Sequence, residues 1–244
     1  RSIDAILASD VEIVELTATS ASVQVTTRIP VVCSVVFGVD QTYGNQSTDL
    51  DMAGRAHSEH HAPLRGLEPD TIYHYRLQGT GSDGTFFASE DLTFRTPPAE
   101  EDDDDLGDNL ATLAAGAQVI DSSSTFGSGA TWGPQNAIDD DPRTEWSSAT
   151  DGNAAFIEIE LASTTAIRAV GLWTRTMGST AQIIEFRVVT EDGVVLGPFT
   201  LPDANQLYRF EVEARARVVR FEVVDSSGGN TGAVEVAVFG EAVE

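Results

Sequence analysis

The stretch Asn136-Ala137-Ile138-Asp139-Asp140-Asp141-Pro142-Arg143-Thr144-Glu145-Trp146 gathers oxygen donors into one tight turn. The carboxylates of Asp139 and Asp141 and the hydroxyl of Thr144 are hard ligands, and main-chain carbonyls are free in a turn. A calcium ion takes roughly six to eight such oxygens in a loose geometry. Trp146 closes the turn and can pin it to a core. Far downstream, Gly232-Ala233-Val234-Glu235-Val236 adds one carboxylate inside an apolar run. The chemistry expected of this set is cation binding that staples a loop, and it points to a binding protein rather than a catalyst.

The run His57-Ser58-Glu59-His60-His61 also carries chemistry. On a helix, His57 and His61 would lie one turn apart and could share zinc. On a strand, His57, Glu59 and His61 share one face instead. The run leads into Pro63-Leu64-Arg65-Gly66-Leu67, where a strand is expected, and surface pairing with neighbouring acids is the reading adopted. No nucleophile–base pair, phosphate loop or open catalytic metal site is visible, so no enzyme activity is expected.

The elements that must position these residues are strands. Val11–Leu16, Ala21–Thr26 and Thr71–Leu77 alternate apolar and polar residues, and Phe86–Arg95 reads as a last strand after a Gly79–Gly84 hairpin turn. In the second half, Ala155–Leu161, Ala181–Val189 and Val218–Val224 do the same. No helix of three turns is expected. Between the halves, Pro97-Pro98 ends a strand and Glu100–Asp105 is a block of like charge that repels itself into a solvated segment. The expected organisation is therefore all-β: two tandem β-sandwiches, at residues 1–98 and 110–244, joined by an acidic linker at 99–109. The halves share no repeat.

Composition narrows the partners. The chain has 244 residues, 41% of them hydrophobic, which is enough for a sizeable core. Its net charge is −25, and all 14 of its basic residues are arginine. Such a field disfavours nucleic acid and anionic membranes and favours cations. No apolar run reaches the ~18 residues of a membrane span. No signal peptide is visible, although a start at Arg1 is compatible with a removed leader. The single cysteine, Cys33, lies in an apolar strand-like run, so it reads as core and no intramolecular disulfide can form.

Two resemblances add to this. Gly66-Leu67-Glu68-Pro69-Asp70-Thr71-Ile72-Tyr73 resembles the corner signature of fibronectin type III domains, over roughly residues 10–97. The resemblance implies an immunoglobulin-like sandwich in which Leu67 caps the core and the Tyr73 hydroxyl folds back onto nearby backbone. The same region is similar to the sandwich that precedes the catalytic domain in purple acid phosphatases, and that catalytic domain is not seen here.

The opening turn, paired with Gly232–Gly240, resembles the discoidin, or coagulation factor type C, family, which includes galactose-binding-like carbohydrate-binding modules. The match covers about residues 110–242 and implies a galactose-binding-like jelly roll. It also implies a structural calcium ion held by the Asp139 side chain, the Thr144 hydroxyl and carbonyl, the Glu235 carboxylate and the backbone oxygens of Asn136, Asp141 and Val234. Asp140 stands where the family has glycine, and aspartate tolerates left-handed backbone better than most residues.

Members of the family bind sugars or lipid headgroups through loops at one end. Aromatic faces stack on sugar C–H groups, and Arg and amide groups pair with hydroxyls. The candidates here are Phe126, Trp132, Arg175 and Asn230, while Trp146 and Trp173 read as core. The expected function is non-catalytic adhesion or glycan recognition at an extracellular or cell surface, with a glycan or surface glycoconjugate as partner. The competing expectations are two. One is a structural subunit of a filament, sheath or surface layer built from copies of the chain, with Ser2–Leu7 adding a strand to the next copy. The other is a targeting module of a larger hydrolase.

Overall fold

A computed structural model describes residues 1–49, 56–98 and 106–243, and its regular structure is almost all strand. The chain divides into two compact units, residues 1–102 and 103–244. Residues 99–105, the charged core of the expected linker, lie outside the described residues.

The first unit is organised by β2. Its strands are β1 (Glu12–Val14), β2 (Ser20–Gly38), β3 (Asn45–Thr48), β4 (His57–Arg65), β5 (Ile72–Gly81), β6 (Phe86–Ala88) and β7 (Leu92–Arg95). Up to Thr26, β2 pairs with β1 and β4; from Val31 onward it pairs with β5 and β3, Val31 itself still lying opposite His57 of β4. The break falls at Thr27–Pro30, where Pro30 has no N–H to give the ladder. One strand therefore passes from one layer to the other. Val23 and Val25 before the break and Val31, Cys33 and Val35 after it all point inward. The core they share includes Leu64 and Leu77.

The corner before β5 has the expected contacts: Leu67 is buried, and the Glu68 N–H donates to Tyr73 Oη at 2.9 Å. Two expectations are corrected. Phe86–Arg95 is not one strand, because Ser89 turns in and its hydroxyl accepts the Leu77 N–H at 3.0 Å, splitting β6 from β7. Nor is Ser2–Leu7 a free strand. Ile3–Ile6 is a 3₁₀ turn, Ile3 and Ile6 are buried in the unit's own core, and the Arg1 carbonyl accepts the Ala88 N–H.

The second unit contains β8 (Asp108–Asn109), β9 (Gln118–Ser122), the four-residue helix α1 (Gly129–Trp132), β10 (Phe156–Thr174), β11 (Ile183–Thr190), β12 (Val195–Thr200), β13 (Tyr208–Ser226) and β14 (Ala233–Ala242). Asp108–Asn109, read from sequence as the end of the linker, is an edge strand that pairs with Phe239–Gly240. The long strands β10 and β13 bend across both layers. The first half of β10 lies between β9 and the last half of β13, which β11 and β12 extend. Its second half lies between β14 and the first half of β13. The ladder slips at Ala162–Thr164, where the Ile157–Ile159–Leu161 alternation lapses into small and polar residues before Ile167 restores it. Trp146 and Phe186 are fully buried at the centre. Trp173 is also core, with its indole N–H donating to the Ala204 carbonyl at 2.8 Å.

Candidate metal clasp and ligand rim

The Asn136–Trp146 segment folds through a 3₁₀ turn at Pro134–Ala137 into an aspartate-rich loop. Asp139 Oδ1 accepts the Asp141 N–H at 3.0 Å, which nucleates the turn. Asp140 sits at φ +60°, the left-handed conformation that favours glycine and that aspartate tolerates. The loop then runs beside the start of β14, the Trp146 N–H donating to the Ala233 carbonyl and the Ser148 N–H to the Thr231 carbonyl. This approach requires Gly232, since a Cβ there would stand 2.1 Å from the Trp146 carbonyl oxygen.

Thr144 is the hub of the turn. Its hydroxyl lies 2.8 Å from Asp139 Oδ2, 3.1 Å from the Asp141 carbonyl oxygen and 3.5 Å from the Asn136 carbonyl oxygen. Val234 is the extra residue of a bulge, skipped between the Trp173–Glu235 and Thr174–Ala233 pairs of the ladder. Glu235, beside it, is 8% exposed, and its Oε1 is buried without a hydrogen-bond partner. Burial, and then the charges of Asp139, Asp140 and Asp141, push the Glu235 carboxyl up to about 8.

Ionising a buried carboxyl among like charges is costly, and a cation beside it would offset that cost. The donor set is all oxygen and suits calcium. The Asp141 side chain faces Arg143, with Nε to Oδ1 at 2.8 Å, and that pairing holds its carboxyl below the usual range. The carboxylate of Asp141 is thus engaged, and its carbonyl is the oxygen that would face an ion bound in the turn.

The four candidate ligand residues gather where the loops at 123–132, 145–152, 174–182 and 226–232 meet. The Phe126 N–H donates to the Ser147 carbonyl, and the Ser147 N–H donates to the Trp132 carbonyl. The Phe126 side chain is 45% exposed and that of Trp132 is half-buried.

Arg175 departs from the expectation of an open hydrogen-bonding group, being 3% exposed. Its Nε and Nη2 donate to Glu145 Oε1 at 3.1 and 2.9 Å, its Nη1 donates to the Asn230 carbonyl, and its Cζ lies 5.7 Å from the centre of the Trp132 ring. Pairing with Glu145 and the Asn230 carbonyl offsets the cost of burying the guanidinium, so Arg175 ties three loops together instead of reaching outward. Asn230 likewise uses its side-chain oxygen to accept the Thr150 N–H at 3.1 Å. Glu145 was not read from sequence as part of this site, because its only signal was its place beside Trp146.

Comparison with known proteins agrees with this half of the chain. Residues 118–236 match the F5/8 type C domain family. No curated protein matches the chain. Among solved structures, the C-terminal domain of a chitobiase from Bacteroides fragilis is similar at 20% identity and TM-score 0.48, covering 56% of this chain and 100% of that one. A family 32 carbohydrate-binding module from Clostridium perfringens, solved with galactose, is similar at 16% identity and TM-score 0.46, covering 54% and 97%. A chitosan-binding module from Paenibacillus is similar at 21% identity and TM-score 0.43, covering 54% and 98%. Among the described residues no helix is long and apolar enough to cross a membrane.

Proposed function

We propose that the chain is a non-catalytic glycan-recognition protein that works outside the cell or at its surface, with the second unit as the recognition module. The F5/8 type C match over residues 118–236 carries the reading. It is supported by the aromatics Phe126 and Trp132, whose backbones are joined through Ser147 and whose side chains are partly open to solvent. Aromatic faces of this kind suit the C–H faces of sugars.

In this reading Phe126 and Trp132 form the stacking platform. Arg175 and Asn230 are positioning residues, Arg175 fixing the Trp132 ring and Asn230 fixing the Thr150 loop. Calcium, when bound, neutralises the acids of the clasp and supplies a fixed point next to the rim. Asn136, Asp139, Asp141, Thr144, Val234 and Glu235 would hold it. The first unit, with its fibronectin type III-like corner at Leu67 and Tyr73, serves as a spacer.

The test is a glycan array screened with the whole protein, with and without calcium, followed by titration of any hit. Binding of a sugar that Trp132→Ala weakens at least tenfold supports the reading. A hit of unchanged affinity in both Trp132→Ala and Phe126→Ala, or no hit across galactose-, glucosamine- and fucose-type sugars, sinks it.

A further inference from the structure

The histidine run of the first unit does not assemble as either periodicity predicts. A regular strand would put His57 and His60 on opposite faces. At the start of β4 the pairing with β2 jumps from Glu59↔Thr26 to His57↔Val31, so four residues of β2 pass against Ser58 alone. This bulge turns His57 to the same side as His60. His61 faces away and pairs with Glu15 at 3.2 Å, so the His57, Glu59, His61 face does not form a cluster.

Asp49 meets the two rings instead. It directly follows β3, which belongs to the other layer. Its Oδ2 lies 2.9 Å from His57 Nε2 and 2.7 Å from His60 Nδ1, and the three ligand atoms lie within 4.8 Å of one another. The side chains of Asp49 and His60 are buried, while 23% of the His57 side chain remains exposed.

The surroundings orient all three groups. The His61 N–H donates to Asp49 Oδ1 at 3.2 Å. The Thr27 hydroxyl donates to the Ile29 carbonyl at 2.8 Å, which leaves its lone pair for the Nε2–H of His60 at 3.1 Å. With the proton on Nε2, the Nδ1 lone pair of His60 points at a carboxylate oxygen. A contact at that distance is made either by a second proton on the ring or by a metal ion between the two atoms.

We propose that Asp49, His57 and His60 form a binding site for a divalent transition-metal ion of the zinc class. Two imidazoles and one carboxylate suit such an ion. The outer contacts from Thr27 and the His61 amide are the kind that set ligand tautomer and orientation at metal sites. Zinc bonds near 2.0–2.1 Å place tetrahedral ligands about 3.4 Å apart, so the two contacts at Asp49 Oδ2 open by about half an ångström on loading. The exposed edge at His57 is the entry path and leaves room for a water as fourth ligand. The ion would join the end of β3 to the start of β4, and so one layer of the sandwich to the other. A chain with a single cysteine has no disulfide for that task.

The experiment uses the whole chain, stripped with chelator and returned to buffer with excess calcium so that oxygen-only sites are filled. Zinc is titrated calorimetrically, and cobalt is followed by its visible absorption. One equivalent of zinc should bind. His57→Gln, at the exposed edge, should weaken it at least tenfold with an unchanged circular dichroism spectrum, and Asp49→Asn should remove the cobalt bands. His61→Gln should bind like the parent protein. No zinc binding by the parent, equal affinity in His57→Gln, or equal loss in His61→Gln and His57→Gln overturns the proposal. If Asp49→Asn does not fold, the two histidine variants decide.

Discussion

The Arg175 guanidinium sits 5.7 Å from the centre of the Trp132 ring while the same group is buried against Glu145. One residue thus joins the stability of the second unit to the placement of its exposed aromatic. The two effects should separate by mutation. Arg175→Met leaves the half-buried Glu145 without its cation and strips the fully buried guanidinium's contacts, a change expected to cost up to about 3 kcal/mol. Trp132→Ala removes a half-buried ring and should cost far less stability while weakening sugar binding. The chain's three tryptophans, Trp132, Trp146 and Trp173, all lie in the second unit, so their fluorescence reports its unfolding alone. A denaturant midpoint that falls more in Trp132→Ala than in Arg175→Met would contradict this division of roles.

Metal removal should show in the same signal. A calcium ion that binds only the folded state at about a hundredfold its Kd adds about 2.7 kcal/mol. Chelator should therefore lower the Tm of the second unit. Asp139→Ala and Glu235→Gln should respond little to either calcium or chelator. A parent protein whose Tm is the same in calcium and in chelator rules out the clasp as a metal site.

Cys33 gives a pH test with a definite sign. Burial pushes its thiol up to about 12, so the reactive thiolate remains scarce across the ordinary range. An exposed thiol, with a pKa of about 8.5, reacts much faster at pH 9 than at pH 7. The native protein should show slow alkylation at both values, and urea should release the reaction. A steep native rise between pH 7 and pH 9 would count against a buried thiol.

Tyr73→Phe tests the corner of the first unit. It deletes the hydroxyl that accepts the Glu68 N–H and leaves the ring, which stacks on Phe94 at 5.7 Å between centroids, in place. The expected loss is about 1 kcal/mol, read by circular dichroism because this unit has no tryptophan. Loss of several kcal/mol would mean that the ring packing had been disturbed as well.

What the sequence revealed was what is local or patterned. The Asp139–Thr144 turn could be read because its donors are neighbours, and the inward side of β2 because Val23, Val25, Val31, Cys33 and Val35 keep to alternation. Glu235 was legible only through family resemblance, since nothing local links it to Asp139. Arg175 turned inward because Glu145 and the Asn230 carbonyl, both distant in sequence, await it. Asp49, His57 and His60 were hidden by a bulge, which reverses side chains without changing composition. Ser2–Leu7 looked like an unattached strand because its core neighbours are contributed by β2 and β5.

The course of β14 has a consequence for reach. The strand begins at Ala233, next to Asn230 and the rim, and its Phe239–Gly240 end pairs with Asn109 and Asp108. Its ten residues, at about 3.3 Å each, span roughly 30 Å. The chain enters and leaves the second unit side by side at one pole, and the aromatic pair stands at the other. Within the second unit, the chain's entry and exit and the exposed Phe126 are therefore a strand length apart. On the proposed reading, a large, branched ligand at Phe126 and Trp132 would not meet the second unit's own entry and exit segments.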